Sequence, residues 1–199
     1  EVNHQLFFQI ASKAFASKGF DGVKLSDIAR DAGVVKSLMN YHYQDKENLW
    51  RKTIEWLQAI FLDRVQQSIS YFRDLDGVSL VKAMNRQYIY FSEEFPEFHQ
   101  IVSYEMYVKS NRSEWLVKNI LKPLHLSFEL IYQEANKNKI IKPIPIANLF
   151  SFAIGASNIF FTHAEQMRLQ YGVNSFDKKQ IEKHADMMNE ILFHGILNK

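Results

Sequence analysis

The chain has no cysteine. That excludes a disulfide scaffold, a zinc site built on thiolates and a thiol nucleophile, and it fits a reducing compartment. Charge of one sign is also missing: 24 Lys+Arg stand against 22 Asp+Glu, a net +2. A surface coated in basic charge is thereby excluded, so any nucleic-acid binding has to rest on a small patch. Proline (4) and glycine (7) are sparse among 199 residues, while Phe (16), Tyr (9) and Trp (3) are plentiful, a composition that excludes disorder. No P-loop, GxGxxG, GxSxG or HExxH pattern occurs. His99, His125, His163, His184 and His194 have no histidine four residues away, and the single Glu-x-x-His, Glu1 to His4, lacks the second copy that a di-iron bundle requires. No enzyme activity, metal site or cofactor is expected.

Membrane signals are absent as well. The chain opens at Glu1 rather than Met, so residues are expected to precede it. No basic segment with an apolar core precedes a cleavage site, and a cytoplasmic location is expected. Pro143 to Ala164 is 22 residues without Asp, Glu, Lys or Arg, long enough to span a bilayer. It carries Asn148, Ser151, Ser157, Asn158, Thr162 and His163, however, which makes it a helix buried inside protein.

What the sequence does have is helical apolar spacing almost throughout. Phe7, Ile10, Ala14 and Phe15 share a face; Leu25, Ile28, Ala29 and Ala32 form a short helix ending at Gly33; Lys36 to Tyr43 forms another. Asp45 is placed to cap a long helix through Leu49, Trp56, Leu57 and Ile60, which the Asp74–Gly77 stretch breaks. Val81, Met84, Tyr88, Phe91 and Phe95 repeat at three and four residues until Pro96. Further helices are predicted over Glu97 to Ser110, over Glu114 to Lys139 with a break at Pro123, from Pro143 to about Tyr171, and along Ile181, His184, Met188 and Ile191. The fold class is all-α: an N-terminal three-helix head with a helix-turn-helix, plus a C-terminal helical bundle, about nine helices in total.

Leu25 to Tyr43 is the informative stretch, with two short helices joined by Ala32-Gly33-Val34. Val34 and Met39 pin the second helix to the core, leaving Lys36, Ser37, Asn40, Tyr41 and His42 outside. Lys suits phosphate or guanine, Asn suits adenine, and Tyr and His suit phosphates. Lys46, at the start of the next helix, is placed for a phosphate too. A short helical pair in any α-bundle presents a similar surface, so composition alone leaves both readings open.

Phe15-Ala16-Ser17-Lys18-Gly19-Phe20, Ser26-Asp27-Ile28-Ala29, Ala32-Gly33-Val34 and Tyr41-His42-Tyr43-Gln44-Asp45-Lys46-Glu47-Asn48-Leu49 together resemble the TetR family of transcriptional regulators, without gaps over roughly residues 6–50. The resemblance implies a homodimeric repressor that binds double-stranded DNA at a palindromic operator, with Lys36–Tyr43 in the major groove, and that a small-molecule effector releases. It implies a DNA-binding domain over 1–48 and a ligand-binding and dimerisation domain over 49–199. Lys24, Ser26, Lys36, Ser37, Asn40, Tyr41, His42 and Lys46 are the expected DNA-binding residues. There are departures. Val35 and Lys24 stand where the family usually has Ser or Thr, Leu38 where it has Thr, Asn40 where it has Tyr, and Tyr43 where it has Phe. Residues 1–55 hold eight basic and seven acidic residues, so a few aimed cations per head must suffice.

The remainder reads as ligand and dimer surface. Between Tyr88 and Phe161 lie 14 of the 28 aromatics. Tyr88, Phe91, Tyr104, Glu105, Phe128 and Asn158 are the expected ligand-binding residues, for a flat or apolar molecule; each also has an ordinary place in a helical core. Phe152, Ala156, Ile159, Phe160 and His163 on one helix and Ile181, His184, Met188 and Ile191 on another are the expected dimer interface, a two-fold four-helix bundle. Val35, Leu38 and Asn40 keep a second reading open, a helical ligand-binding or adaptor protein whose head no longer reads DNA.

Overall fold

Eleven α-helices form within residues 4–71 and 77–196, the residues that the computed structural model describes. They are α1 (His4–Gly22), α2 (Leu25–Asp31), α3 (Lys36–Tyr43), α4 (Lys46–Tyr71), α5 (Gly77–Glu94), α6 (Pro96–Val108), α7 (Asn111–Leu116), α8 (Lys122–Lys137), α9 (Ile146–Thr162), α10 (Ala164–Tyr171) and α11 (Lys178–Ile196). No helix among the described residues is long and apolar enough to cross a membrane. The Asp74–Gly77 break falls on a stretch of which 72–76 lie outside the described residues.

Two of the nine expected helices are divided, which gives eleven. The Glu114–Lys139 helix breaks ahead of Pro123 rather than at it. Proline has no N–H to give the carbonyl of Asn119, and the chain widens into a π turn over Val117–Leu121. The Gln58 side-chain amide reaches the loosened ladder, donating to the Ile120 carbonyl at 3.3 Å. The uncharged helix divides at His163 (φ −112°, ψ 32°), directly after Thr162, whose hydroxyl bonds back to the Asn158 carbonyl at 3.2 Å. Asp45 caps α4 as expected, its carboxylate accepting from the Asn48 N–H at 2.8 Å.

The described residues gather into two packing units. The first comprises 4–60 with 97–120, so that α6 and α7 pack with α1, α2, α3 and the first half of α4. Phe7, Ala11 and Phe15 of α1, Ile28 and Ala29 of α2, and Leu49, Trp50 and Ile54 of α4 are buried there. Helix α1 kinks at Gly19 (φ 66°, ψ 172°), a conformation that only glycine adopts without strain. Its last turn carries Phe20, whose ring stacks on Phe15 (centroids 6.1 Å apart) and meets two cations, Lys46 Nζ at 4.4 Å and the Arg112 guanidinium at 3.7 Å. Arg112 also donates from Nε to the Glu105 carboxylate at 3.1 Å. Ser110 donates to the same carboxylate, and Ser113 to the Glu105 carbonyl. The turn between α6 and α7 is thus closed by one buried acid.

The second unit comprises 61–96 with 121–196, and in it α5, α9 and α11 pack against one another. Ile89, Phe161, Ile181, Ala185 and Met188 form one buried cluster there, and each large apolar side chain so buried contributes roughly 1.5–3 kcal/mol. Along the edge of α5, Arg86 pairs with Glu182 and Asp186 of α11, while the Tyr90 hydroxyl donates to Glu182 at 3.0 Å.

Candidate nucleic-acid interface

Helix α2 is preceded by Lys24, an extended N-cap residue that offers no side-chain cap, and Lys24 and Ser26 are exposed to solvent. Its end is a complete Schellman turn. The Gly33 N–H bonds the Arg30 carbonyl (3.0 Å), the Val34 N–H bonds the Ala29 carbonyl (2.9 Å), and Gly33 takes φ 69°. That turn sets α3 across α2. Helix α3 likewise lacks a side-chain cap, because its N-cap position is Val35. Each missing hydroxyl costs about 1 kcal/mol of helix stability.

Met39 and Tyr43, four residues apart, are the buried face of α3, at 1% and 4% exposure. Ser37, Asn40 and Tyr41 lie on the opposite face, with Tyr41 81% exposed. His42 is half-buried, its ring edge-on to Tyr41 at 5.2 Å. Lys36 begins the helix, but its side chain lies outside the described residues. Lys46 has a different environment from the other cations. Its ammonium donates to the carbonyls of Phe20 (2.9 Å) and Val23 (3.1 Å), closing the end of α1 onto the start of α4. Phosphate contact by Lys46 competes with those bonds.

One residue of this surface escaped the sequence reading. His4 of α1 lies with its ring 5.2 Å from that of His42, edge-on, and its Nδ1 is 2.8 Å from the Tyr43 hydroxyl. Nothing in local spacing signals this, since the partners are 38 and 39 residues apart in sequence. The one visible hint is the hydroxyl at position 43. Burial holds the Tyr43 phenol above its ordinary range, so it keeps its proton.

The expected ligand residues divide between the units. Tyr88, Phe91 and Asn158 come together in the second. The Tyr88 hydroxyl is bonded to the Asn158 and Ser92 side chains, burial holds its phenol well above the ordinary range, and the rings of Tyr88 and Phe91 lie 5.8 and 5.1 Å from that of Phe61. Phe128, in the same unit, packs edge-on to Phe150 at 6.3 Å. Tyr104 and Glu105 belong to the first unit, where Tyr104 rests on Gly19 and Glu105 pairs with Arg112.

The expected dimer residues also divide. Phe152 and Ile159 of α9, Ile191 of α11, and His163 face solvent. Ala156 and Phe160 are partly buried against the core that holds Ile181 and Met188 within the chain. His184 is buried between Phe160 (stacked, 4.5 Å) and Phe161, with Nε2 3.2 Å from the Ser157 carbonyl, and burial lowers its basicity. The outward stripe of α11 is instead Met187 and Ile191.

Comparison with known proteins follows this geometry. Residues 9–52 match the model of the N-terminal region of the "Bacterial regulatory proteins, tetR family". The biofilm operon icaADBC HTH-type negative transcriptional regulator IcaR of Staphylococcus epidermidis is 33% identical over 64 residues, which is 32% of this chain and 35% of that protein. The match therefore spans about a third of that relative's length. Solved structures share the fold over nearly the whole chain. A Clostridium perfringens protein described as a fatty acid metabolism regulator has a TM-score of 0.76 at 21% identity, covering 98% of this chain and 100% of that one. The ketosteroid transcriptional regulator KstR2 of Mycobacterium tuberculosis has a TM-score of 0.73 at 12% identity, covering 100% and 98%. The fatty acid degradation regulator FadR of Bacillus halodurans has a TM-score of 0.67 at 13% identity, covering 94% and 98%. The head motif over residues 9–52 thus matches the tetR family of bacterial regulatory proteins in sequence, and the helical architecture is shared with these solved structures over nearly the whole chain.

Proposed function

We propose that the protein is a homodimeric, cytoplasmic DNA-binding transcriptional regulator, a repressor that a small-molecule effector releases from a palindromic operator. The observation that carries this reading is helix α3. It is anchored by Met39 and Tyr43, held across α2 by the Gly33 turn, and turns Ser37, Asn40 and Tyr41 outward on a short rigid helix. That is the polar reading face a major groove accepts. The 33% identical relative, a negative transcriptional regulator, supports repression. Apolar Phe152, Ile159, Met187 and Ile191, exposed on α9 and α11, suit a two-fold partner surface. The effector reading rests on Tyr88 and Asn158, a bonded polar pair beside Phe61 and Phe91. Such a site suits a mostly apolar molecule carrying a hydrogen-bonding group.

Selection from random duplex DNA tests the reading. The expected result is one enriched palindrome, bound by a dimer. Asn40→Ala, Tyr41→Ala or Lys36→Ala should then weaken binding by about 1–3 kcal/mol. Selection that enriches no sequence would overturn it in favour of a helical ligand-binding protein whose head does not read DNA.

A further inference from the structure

The end of α3 carries a cluster that extends the reading face onto α1. His4, from the first turn of α1, and His42, from the last turn of α3, stand edge-on with ring centres 5.2 Å apart. Tyr41 stands edge-on to His42 at the same distance. His4 is solvent-exposed and His42 half-exposed. Beneath them Tyr43 is buried, with only its hydroxyl reaching out to His4 Nδ1 at 2.8 Å. Phe8 of α1 backs the cluster, its ring 6.4 Å from His4 and 5.9 Å from Tyr43, with Trp56 of α4 behind it at 5.8 Å.

The Tyr43 hydroxyl is hydrogen-bonded to His4 Nδ1, and that bond holds the imidazole in place. A neutral imidazole that accepts at Nδ1 carries its own proton on Nε2, the nitrogen on the other side of the ring. If His4 is protonated instead, Nδ1–H donates to the same tyrosine oxygen and Nε2–H is retained. With Nδ1 engaged by Tyr43, the protonated imidazole has its Nε2–H, and a charge with it, for a second partner. Among the described residues, the side chains in ring contact with the two imidazoles are Tyr41 and Tyr43 of α3 and Phe8 of α1.

We propose that His4 and His42, with His4 oriented by the Tyr43 hydroxyl, form a phosphate-contacting site at the end of the reading helix, one that takes up protons when DNA binds. The inference rests on the DNA-binding reading above. A phosphate beside two imidazoles favours their charged forms, so the complex holds more protons than its free components, and binding tightens as pH falls. The charge compensates for a head that carries few cations: residues 4–55 hold eight basic and six acidic residues. It also gives the tyrosine at position 43 a task that phenylalanine there would not perform.

The test uses the full chain and the palindrome enriched from random DNA, with affinity measured from pH 8 to pH 6 at fixed salt. The wild-type protein is expected to bind more tightly at lower pH, by up to about tenfold per pH unit for each proton taken up. His4→Gln with His42→Gln should bind at pH 8 nearly as wild type does and lose the pH dependence. Tyr43→Phe, which keeps the buried ring, should lose the share contributed by His4. A wild-type affinity that does not change with pH, or a pH dependence that persists in the double variant, overturns the phosphate site and leaves DNA reading intact. Failure to enrich any palindrome overturns DNA reading itself.

Discussion

The ring of Tyr104 occupies the space that a side chain at position 19 would need. Its Cζ lies 2.6 Å from where a Cβ on Gly19 would stand, and Gly19 holds φ at +66°. Two separate demands therefore meet at one glycine: a backbone conformation that L side chains resist, and an aromatic ring seated on the bare backbone. Gly19→Ala is expected to destabilise the protein by about 2–4 kcal/mol, the sum of backbone strain and overpacking. Adding Tyr104→Ala should restore only the steric share. Urea unfolding of the two variants separates the terms. A double variant as stable as the wild type would show that backbone strain contributes nothing.

Glu105 is 1% exposed and its partner Arg112 13%. Removing the guanidinium leaves a buried carboxylate with the Ser110 hydroxyl as its partner. Arg112→Ala is expected to cost about 3–5 kcal/mol. Replacing both residues by apolar ones, Glu105→Leu with Arg112→Met, should cost much less, since no buried charge remains and the methionine keeps a contact with Phe20. If the double variant proves no more stable than Arg112→Ala, the ion pair does not govern the α6–α7 turn.

His99 is buried in α6, and burial pushes its basicity down to about 3. The folded state therefore binds a proton more weakly than the unfolded chain, whose histidine titrates near the usual value of about 6.5. Stability from this residue is complete above that value. It is lost as pH falls through it, at up to about 1.4 kcal/mol per pH unit. His125 and His184 are shifted the same way by burial. Urea midpoints at pH 7, 6 and 5 should decline, and His99→Gln should decline less steeply. Equal slopes in the two proteins would remove His99 from the account.

Local features of the chain were legible in the sequence. Gly33 ends α2 with positive φ, Asp45 caps α4, and Met39 anchors α3, because each depends on residues only a few positions away. The departures at Lys24 and Val35 were legible too, and both N-cap positions lack a side-chain bond. What the sequence left undecided was which neighbour an apolar or aromatic stripe meets. Tyr88 and Tyr104 look alike by spacing, yet one bonds Asn158 and the other covers Gly19. On α11 the stripe Ile181, His184, Met188 is the inward one, and the outward pair Met187 and Ile191 lies three positions after His184 and Met188. A helical period fixes that a face is apolar; whether it meets its own chain or another is decided by the packing of distant segments.

The head's core draws on two stretches of chain, 4–60 and 97–120, with 61–96 belonging elsewhere. Trp115 from the later stretch packs on Trp50 at 5.6 Å, and Arg112 covers Phe20. The N-terminal head is therefore not a cassette that could be cut out or exchanged by recombination at a single junction. A chimaera keeping only the first sixty residues would lose the lid over its own tryptophan, and variation in the two stretches has to stay matched for the head to remain intact.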